Sequence, residues 1–408
     1  MDITRRDLLK AGMGAAAASI LPAHAGQAHA TSLGAGGVLA GKYPLSTDPS
    51  PVLIAGVSKG ASDAAIALAV RHAAEAATDF SWLNPGDTVL IKPVNNSGEK
   101  YPATTHPASI ASMAALLKEK GAGRVIVIDT AGIAHVKLSE GGVRGSTRAL
   151  MHKNGIYQTA FEAGAELYFP EEHGWNAFFE DGPKAGTRWK NGIMVPAILK
   201  EVDHIVLMPR TSRHMIAGVT LGLKAAVGYM RTDSRLEYHR DAATFFEKHV
   251  GINTVPSIAD KLRLTLTTAT KVQTTMGPDS GYVLEPETGL VIASVNLLAH
   301  DMVSLAWLLI GRELTPASEK TGFKDPYEMG ELSVSTFNRF CVFMLGGPCQ
   351  ALFTQTLHQY EVNTIRDDPT LNAAFGIFGT VPRVELVDAS ATVPAELLAD
   401  LRQRVQMT

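Results

Sequence analysis

Cysteine is scarce in this chain: two residues among 408, Cys341 and Cys349. Two thiols are too few for a cysteine-ligated zinc site or an iron–sulfur cluster. They also exclude a scaffold built on disulfides. An excess of charge of one sign is missing too. The 37 basic and 40 acidic residues leave a net charge of −3. No basic surplus points to nucleic acid, and no run of like charge points to an interaction tail. Past residue 30 no stretch is long and apolar enough to cross ~30 Å of hydrocarbon. P-loop, G-x-G-x-x-G and H-E-x-x-H motifs are absent, and no internal repeat is evident.

What remains is an ordinary globular composition, 46% hydrophobic and 19% charged. It is enough for one large or two medium domains and rules out a disordered chain. The first thirty residues stand apart. Thr4-Arg5-Arg6-Asp7-Leu8-Leu9-Lys10 leads into an uncharged, Ala-rich stretch from Ala11 to Leu21, and Ala28-His29-Ala30 follows. A basic start, a short apolar region and an A-x-A cut site make an export signal. The paired arginines resemble a twin-arginine (Tat) signal. The Tat machinery is therefore an expected partner, and the periplasm the expected location. There Cys341 and Cys349 meet oxidising conditions; they read either as a bridge or as two buried free thiols.

Residues 31–50, rich in Gly, Ser and Pro, read as a linker. Apolar strands then alternate with helices. Strands are expected at 51–57, 88–91 and 124–128, with helices at 62–77 and from Pro107 to Lys120. Continuous apolar strands separated by helices predict an α/β fold of parallel-sheet βαβ units. The pattern resumes with strands at 204–208, 264–268 and 290–295 and a helix from Leu297 to Ile310. This divides the chain into a first α/β portion (51–200) with an insertion, a second (201–310), and a mixed, largely helical region (311–408). A cleft is expected between the two portions.

Gly56-Val57-Ser58-Lys59-Gly60 matches the G-x-S-x-G elbow of hydrolases, but it follows the first strand. No upstream strand is left to supply an oxyanion loop, so a plain tight turn is expected. More telling residues lie where strands end, since open α/β sheets bind ligands outside the carboxyl ends of their strands. Strand 88–91 runs into Lys92, and Thr105 and His106 precede the helix at Pro107, a helix N-terminus that favours anions. Strand 124–128 adds Asp129 and then His135. Strand 204–208 leads to Arg210, Arg213, His214, Gly218, Gly222 and Lys224, with a polar cluster of Arg231, Arg235, Glu237 and His239 beyond. His300-Asp301 follows strand 290–295.

Read together, the blocks Ile91-Lys92-Pro93 with Thr105-His106-Pro107, His214 to Gly228, and Gly277-Pro278-Asp279-Ser280-Gly281 with Val291 to Asp301 resemble the domain of unknown function 362 family. The blocks extend over roughly residues 50–310. The resemblance fixes no reaction. This chain departs from the family pattern in carrying Thr267-Thr268 and Asn296 where relatives often carry aspartates, and in lacking their cysteine-rich ferredoxin segment. More distantly, His214-(x)3-Gly218-(x)3-Gly222-x-Lys224 is similar to a stretch of the lactate racemase, or nickel-pincer, family. That resemblance implies Lys224 as a cofactor tether, His239 as a nickel ligand, and the Asp129–His135 segment as the carrier of a catalytic histidine.

The function expected is an exported enzyme acting on a small anionic organic substrate. His106, His214 and His239 are its acid–base candidates, because neutral imidazole works near pH 7. Lys92, Thr105, Arg213 and Lys224 would hold the substrate. Lys224 reads either as the buried partner of a carboxylate or as a reactive lysine. A divalent metal would fall to His135, His214 and His239, with His106 as a further donor, since first-row metals suit imidazole nitrogen. Proton-transfer or racemase-like chemistry is the preferred reaction class. The rival is a non-catalytic periplasmic binding protein or a metal or cofactor accessory protein. It would keep the basic cleft without an aligned acid–base pair.

Overall fold

The structure is a computed structural model that describes residues 43–406. The export signal expected in residues 1–30 lies outside the described residues. Eight strands form one sheet: β1 (Leu45–Ser58), β2 (Thr88–Pro93), β3 (Arg124–Ile128), β4 (Glu166–Tyr168), β5 (His204–Met208), β6 (Leu262–Ala269), β7 (Thr288–Ser294) and β8 (Val381–Asp388). Their order across the sheet is β8-β1-β7-β6-β5-β2-β3-β4. Every pairing is parallel except those of β7, which runs antiparallel to both β1 and β6. The α/β architecture of mostly parallel units is therefore as the sequence predicts.

The two α/β portions are not separate layers. β2 of the first pairs with β5 of the second, with Leu90 opposite Ile205 and Ile91 opposite Val206. These strands are buried on both faces, so leaving them as edges would expose apolar rows and unpaired backbone. The strand β1 starts at Leu45, inside the stretch that composition assigns to a linker. The last region also contributes a strand: β8 lies parallel to β1 at the sheet edge, with Leu53 opposite Val387.

Alternation along each strand divides the core between two faces. Val89 and Ile91 pack with Ile66, Val70, Met113 and Leu116 of helices α1 (Asp63–Ala77) and α2 (Pro107–Glu119). Leu90, Ile126 and Ile205 point the other way, toward Tyr229, Ile252 and Val255. Helix α3 (Thr232–Arg240) packs against helix α4 (Phe245–Gly251), and that second face receives α4 and, further along the sheet, helix α5 (Leu297–Glu313). Asn296, where the family often has aspartate, caps α5 by accepting from the amides of Leu298 and Ala299. A long kinked helix, α6 (Pro326–Leu352), lies against α3. Among the described residues no helix is long and apolar enough to cross a membrane. Cys341 and Cys349, both on α6, are free thiols, so the bridge is not formed. Burial pushes the Cys341 thiol up to about 12.

Candidate functional site

The carboxyl ends of β2 and β3 meet the segment 220–235 around a cavity of about 60 Å³. Its walls include Lys92, Asn96, Asp129, Thr220, Lys224 and Arg235. Space of this size holds several waters or a small acid. Lys92 is the last residue but one of β2 and is 1% exposed. Its Nζ lies 2.8 Å from Asp129 Oδ1 and donates to the Pro93 carbonyl at 2.7 Å. Loss of hydration lowers its pKa, while Asp129 opposes that shift. Asp129 also accepts from the Asn95 amide at 2.6 Å and the Thr130 amide at 2.8 Å. Gly228 makes this packing feasible, because a Cβ there would run into Asp129 Oδ1 and Lys92 Nζ.

Arg235, on α3, is buried without a carboxylate of its own. Its guanidinium donates to four backbone carbonyls: Met230, Ala131, Thr130 and Gly228. It ties the loop after β3 to the segment before α3 and keeps its charge beside the cavity. Burial is the main cause of its lowered pKa.

Lys224 follows a short hairpin. Ser212–His214 pairs antiparallel with Gly218–Thr220, closed at Gly218 with φ +78°, and a turn of helix runs from Gly222 to Ala225. Asp301 anchors that turn by accepting from the amides of Gly222 at 2.8 Å and Leu223 at 2.7 Å. Asp301 is held in turn by His300 Nδ1 at 2.9 Å, and His300 Nε2 meets Thr267 Oγ1 at 2.9 Å. The His300-Asp301 pair is thus a buried brace under the helix that carries Lys224. Among the described residues Lys224 Nζ makes no hydrogen bond or ion pair, so it is not the buried partner of a carboxylate. Loss of hydration is the first cause that brings its pKa down to about 7, with Arg210, Arg235 and Lys92 adding to it.

Two histidines that feel the Lys224 charge, and that lie behind the residues lining the cavity rather than on its walls, are held in opposite tautomers. His214 Nδ1 accepts from the amides of Ile216 at 3.1 Å and Ala217 at 3.2 Å, which leaves the proton of the neutral ring on Nε2. His239 Nδ1 lies 2.7 Å from Asn338 Oδ1. Asn338 donates its Nδ2 to the His239 carbonyl at 2.8 Å, and that fixes which end of the amide faces the ring. Nδ1 of His239 therefore carries the proton and Nε2 presents a lone pair. Burial keeps both rings neutral, with His214 well below its ordinary 6.5 and His239 at about 4; the Lys224 charge lowers both further. His249 belongs to the same cluster. It is buried, and neither ring nitrogen has a hydrogen-bond partner among the described residues.

The other candidates lie elsewhere. Thr105 Oγ1 accepts from the Val94 amide and donates to the Met208 carbonyl, stitching β2 to β5. His106 packs edge-on against Tyr101 and lies 3.7 Å from Asp63. Burial is the main cause of its lowered pKa. Arg213 is buried beside Asp325 at 3.9 Å, outside the cavity walls. His135 lies 3.4 Å from Asp279, which also accepts from Asn96 at 2.7 Å. Among the described residues no three His, Cys, Asp or Glu side chains come together as a metal-holding group, so the set His135, His214 and His239 does not fit a protein-held metal. Ser58 of the G-x-S-x-G match is an exposed residue at the turn after β1. Sequence reasoning missed Asn338 and His249.

A mostly parallel α/β sheet with a polar cavity at its strand ends defines the class of protein. Within it, the chain belongs to the family described as domain of unknown function (DUF362), which matches residues 89–306. No curated protein matches the chain. Among solved structures it is similar to a protein of Thermotoga maritima at 14% identity and TM-score 0.36, covering 63% of this chain and 60% of that one. It is also similar to the lactate racemase apoprotein of Thermoanaerobacterium thermosaccharolyticum at 12% identity and TM-score 0.36, covering 57% and 55%. The chain thus spans less than two thirds of either structure, and neither likeness assigns an activity.

Proposed function

We propose that the protein is an exported enzyme that moves a proton on a small anionic organic substrate. Lys92, Lys224 and Arg235 supply the positive field that draws the anion in. One observation carries the reading: Lys224 is partnerless in a cavity whose other walls hold two further cations and one carboxylate. In a site of low hydration its ammonium form is costly, so the group sheds its proton readily unless a ligand supplies the counter-charge. The tautomers of His214 and His239 add the chemistry. His239 Nε2 is a base, and His214 Nε2–H is a donor. Both are neutral at pH 7. The binding-protein rival has no use for that opposed pair.

Two measurements test this. Calorimetry with inorganic phosphate and short-chain carboxylates should show binding that Lys224→Met weakens about tenfold or more, the scale of one lost charge-assisted contact. Proton NMR in heavy water should show exchange at the carbon beside the carboxylate for the acid that binds, and His239→Ala should abolish it. Binding without exchange for any acid in the panel would favour the binding-protein reading. Absence of binding would reject the site.

A further inference from the structure

We propose that Lys224 is a point of covalent attachment, condensing through Nζ with the carbonyl group of a small oxo acid to form an imine. This deepens the anion-site reading and rests on it. Four observations converge. Lys224 Nζ is the cavity-lining amine without a partner, whereas Lys92 is occupied by Asp129 and the Pro93 carbonyl. Lys92 and Arg235 each keep one N–H not used in those contacts, so a carboxylate next to the carbonyl has donors on two sides. The cavity of about 60 Å³ has room for a small acid. His239 offers a lone pair and His214 an N–H near the same lysine, which suits the proton traffic of condensation.

The step balances without an oxidant or reductant. The Nζ lone pair forms a bond to the carbonyl carbon, and the carbon–oxygen π pair moves onto oxygen, which takes a proton. One Nζ proton passes to His239 Nε2. His239 returns that proton to the oxygen as the nitrogen lone pair forms the C=N bond and water leaves; the iminium nitrogen then gives up its remaining hydrogen, which replaces the proton first taken by the oxygen. A lysine desolvated among other cations is kept in the nucleophilic, neutral form. Its pKa of about 7 supports this, since an ordinary lysine is almost wholly protonated at that pH.

The probe is glyoxylate, trapped on the whole protein with cyanoborohydride near pH 7.5 and mapped by peptide mass spectrometry. The expected result is carboxymethylation of Lys224 at least about tenfold faster than of any other lysine, consistent with its larger neutral fraction. Lys224→Arg, which keeps the charge and cannot form an imine, should still bind glyoxylate in calorimetry but lose the adduct. Labelling spread evenly over surface lysines, together with glyoxylate binding that depends on Lys224, would overturn the covalent step and leave the anion site standing. No binding and no adduct at Lys224 would overturn both.

Discussion

Asn338 decides which nitrogen of His239 carries the proton, although the two residues are ninety-nine positions apart. Its amide is locked at both ends, accepting at Oδ1 and donating from Nδ2 to the His239 carbonyl. The lone pair on His239 Nε2 therefore depends on helix α6 lying against α3. On the proposed reading, proton transfer and the packing of the C-terminal region become one property.

Removing that lock should separate chemistry from binding. Asn338→Ala frees both tautomers of His239, so the exchange rate should fall about tenfold or more while anion affinity stays within twofold. Stability should drop by about 1 kcal/mol for the lost hydrogen bonds. Asn338→Asp should raise the His239 pKa from about 4, because a carboxylate favours imidazolium. NMR titration of the ring would check this; an unmoved pKa would refute the contact.

Burial of neutral titratable groups sets how stability follows pH. His214, His239 and His249 all sit below 6.5 in the folded chain. Below 6.5 the unfolded chain takes up protons that these folded rings refuse, so stability should fall as the pH drops through that range. Lys224 adds a second window. Between about 7 and 10.5 the unfolded lysine is protonated and the folded one is not, so its contribution should rise with pH. Urea unfolding of the native protein and Lys224→Met should show the native protein gaining on the variant from pH 7 to 10. A constant difference would mean that Lys224 titrates normally.

Much of this could be read in the sequence. The apolar runs 124–128 and 204–208 are strands with those bounds, and Lys92, Asp129 and Lys224 stand where strand ends placed them. What misled was direction. Arg213 and His214 are neighbours in a strand, and neighbours point to opposite faces; His214 turns toward Lys224 while Arg213 turns toward Asp325. Arg235 reaches the cavity instead because a helix, not a strand, carries it there. His106 precedes a helix whose first turn faces α1, which sends its ring to Asp63. Asn338 was out of reach, since the helical stretches of 311–408 carry no mark of which element α6 docks against.

The Lys92–Asp129 pair should be the most sensitive point of the cavity to a single change. Asp129→Asn leaves Lys92, 1% exposed, with no counter-charge. Breaking one partner of such a pair costs about 3–5 kcal/mol. Replacing both, as Lys92→Met with Asp129→Asn, should recover part of that loss and still abolish anion binding. Denaturant melts of the two variants give the comparison. Equal stabilities of the single and double variants would mean that Lys92 simply sheds its proton.

Export is testable apart from the fold. Replacing Arg5 and Arg6 with lysine should leave precursor in the cytoplasm, since the twin arginines are the signal's address. The mature chain should begin near Thr31, after Ala28-His29-Ala30. Cell fractionation and N-terminal sequencing would decide it, and unchanged export of the double-lysine variant would reject the Tat route.

Anion binding should itself move a proton. An anion beside Lys224 favours the charged amine and so raises its pKa from about 7. At pH 8 most of the free protein holds Lys224 neutral, so each phosphate or carboxylate bound should draw a proton from the buffer. At pH 6 Lys224 already carries its charge, and little uptake by this group should accompany binding. By linkage the affinity should fall as the pH rises above 7, by up to about tenfold per unit while the uptake persists. Calorimetry in buffers of different ionisation enthalpy reads the uptake directly. Phosphate brings its own ionisation near neutrality, so a carboxylate that stays ionised throughout is the cleaner ligand. Lys224→Arg, charged at every pH used, should flatten the profile and lose the uptake at pH 8. A profile that falls equally in the native protein and in Lys224→Arg would assign the proton to another group and remove Lys224 from the site.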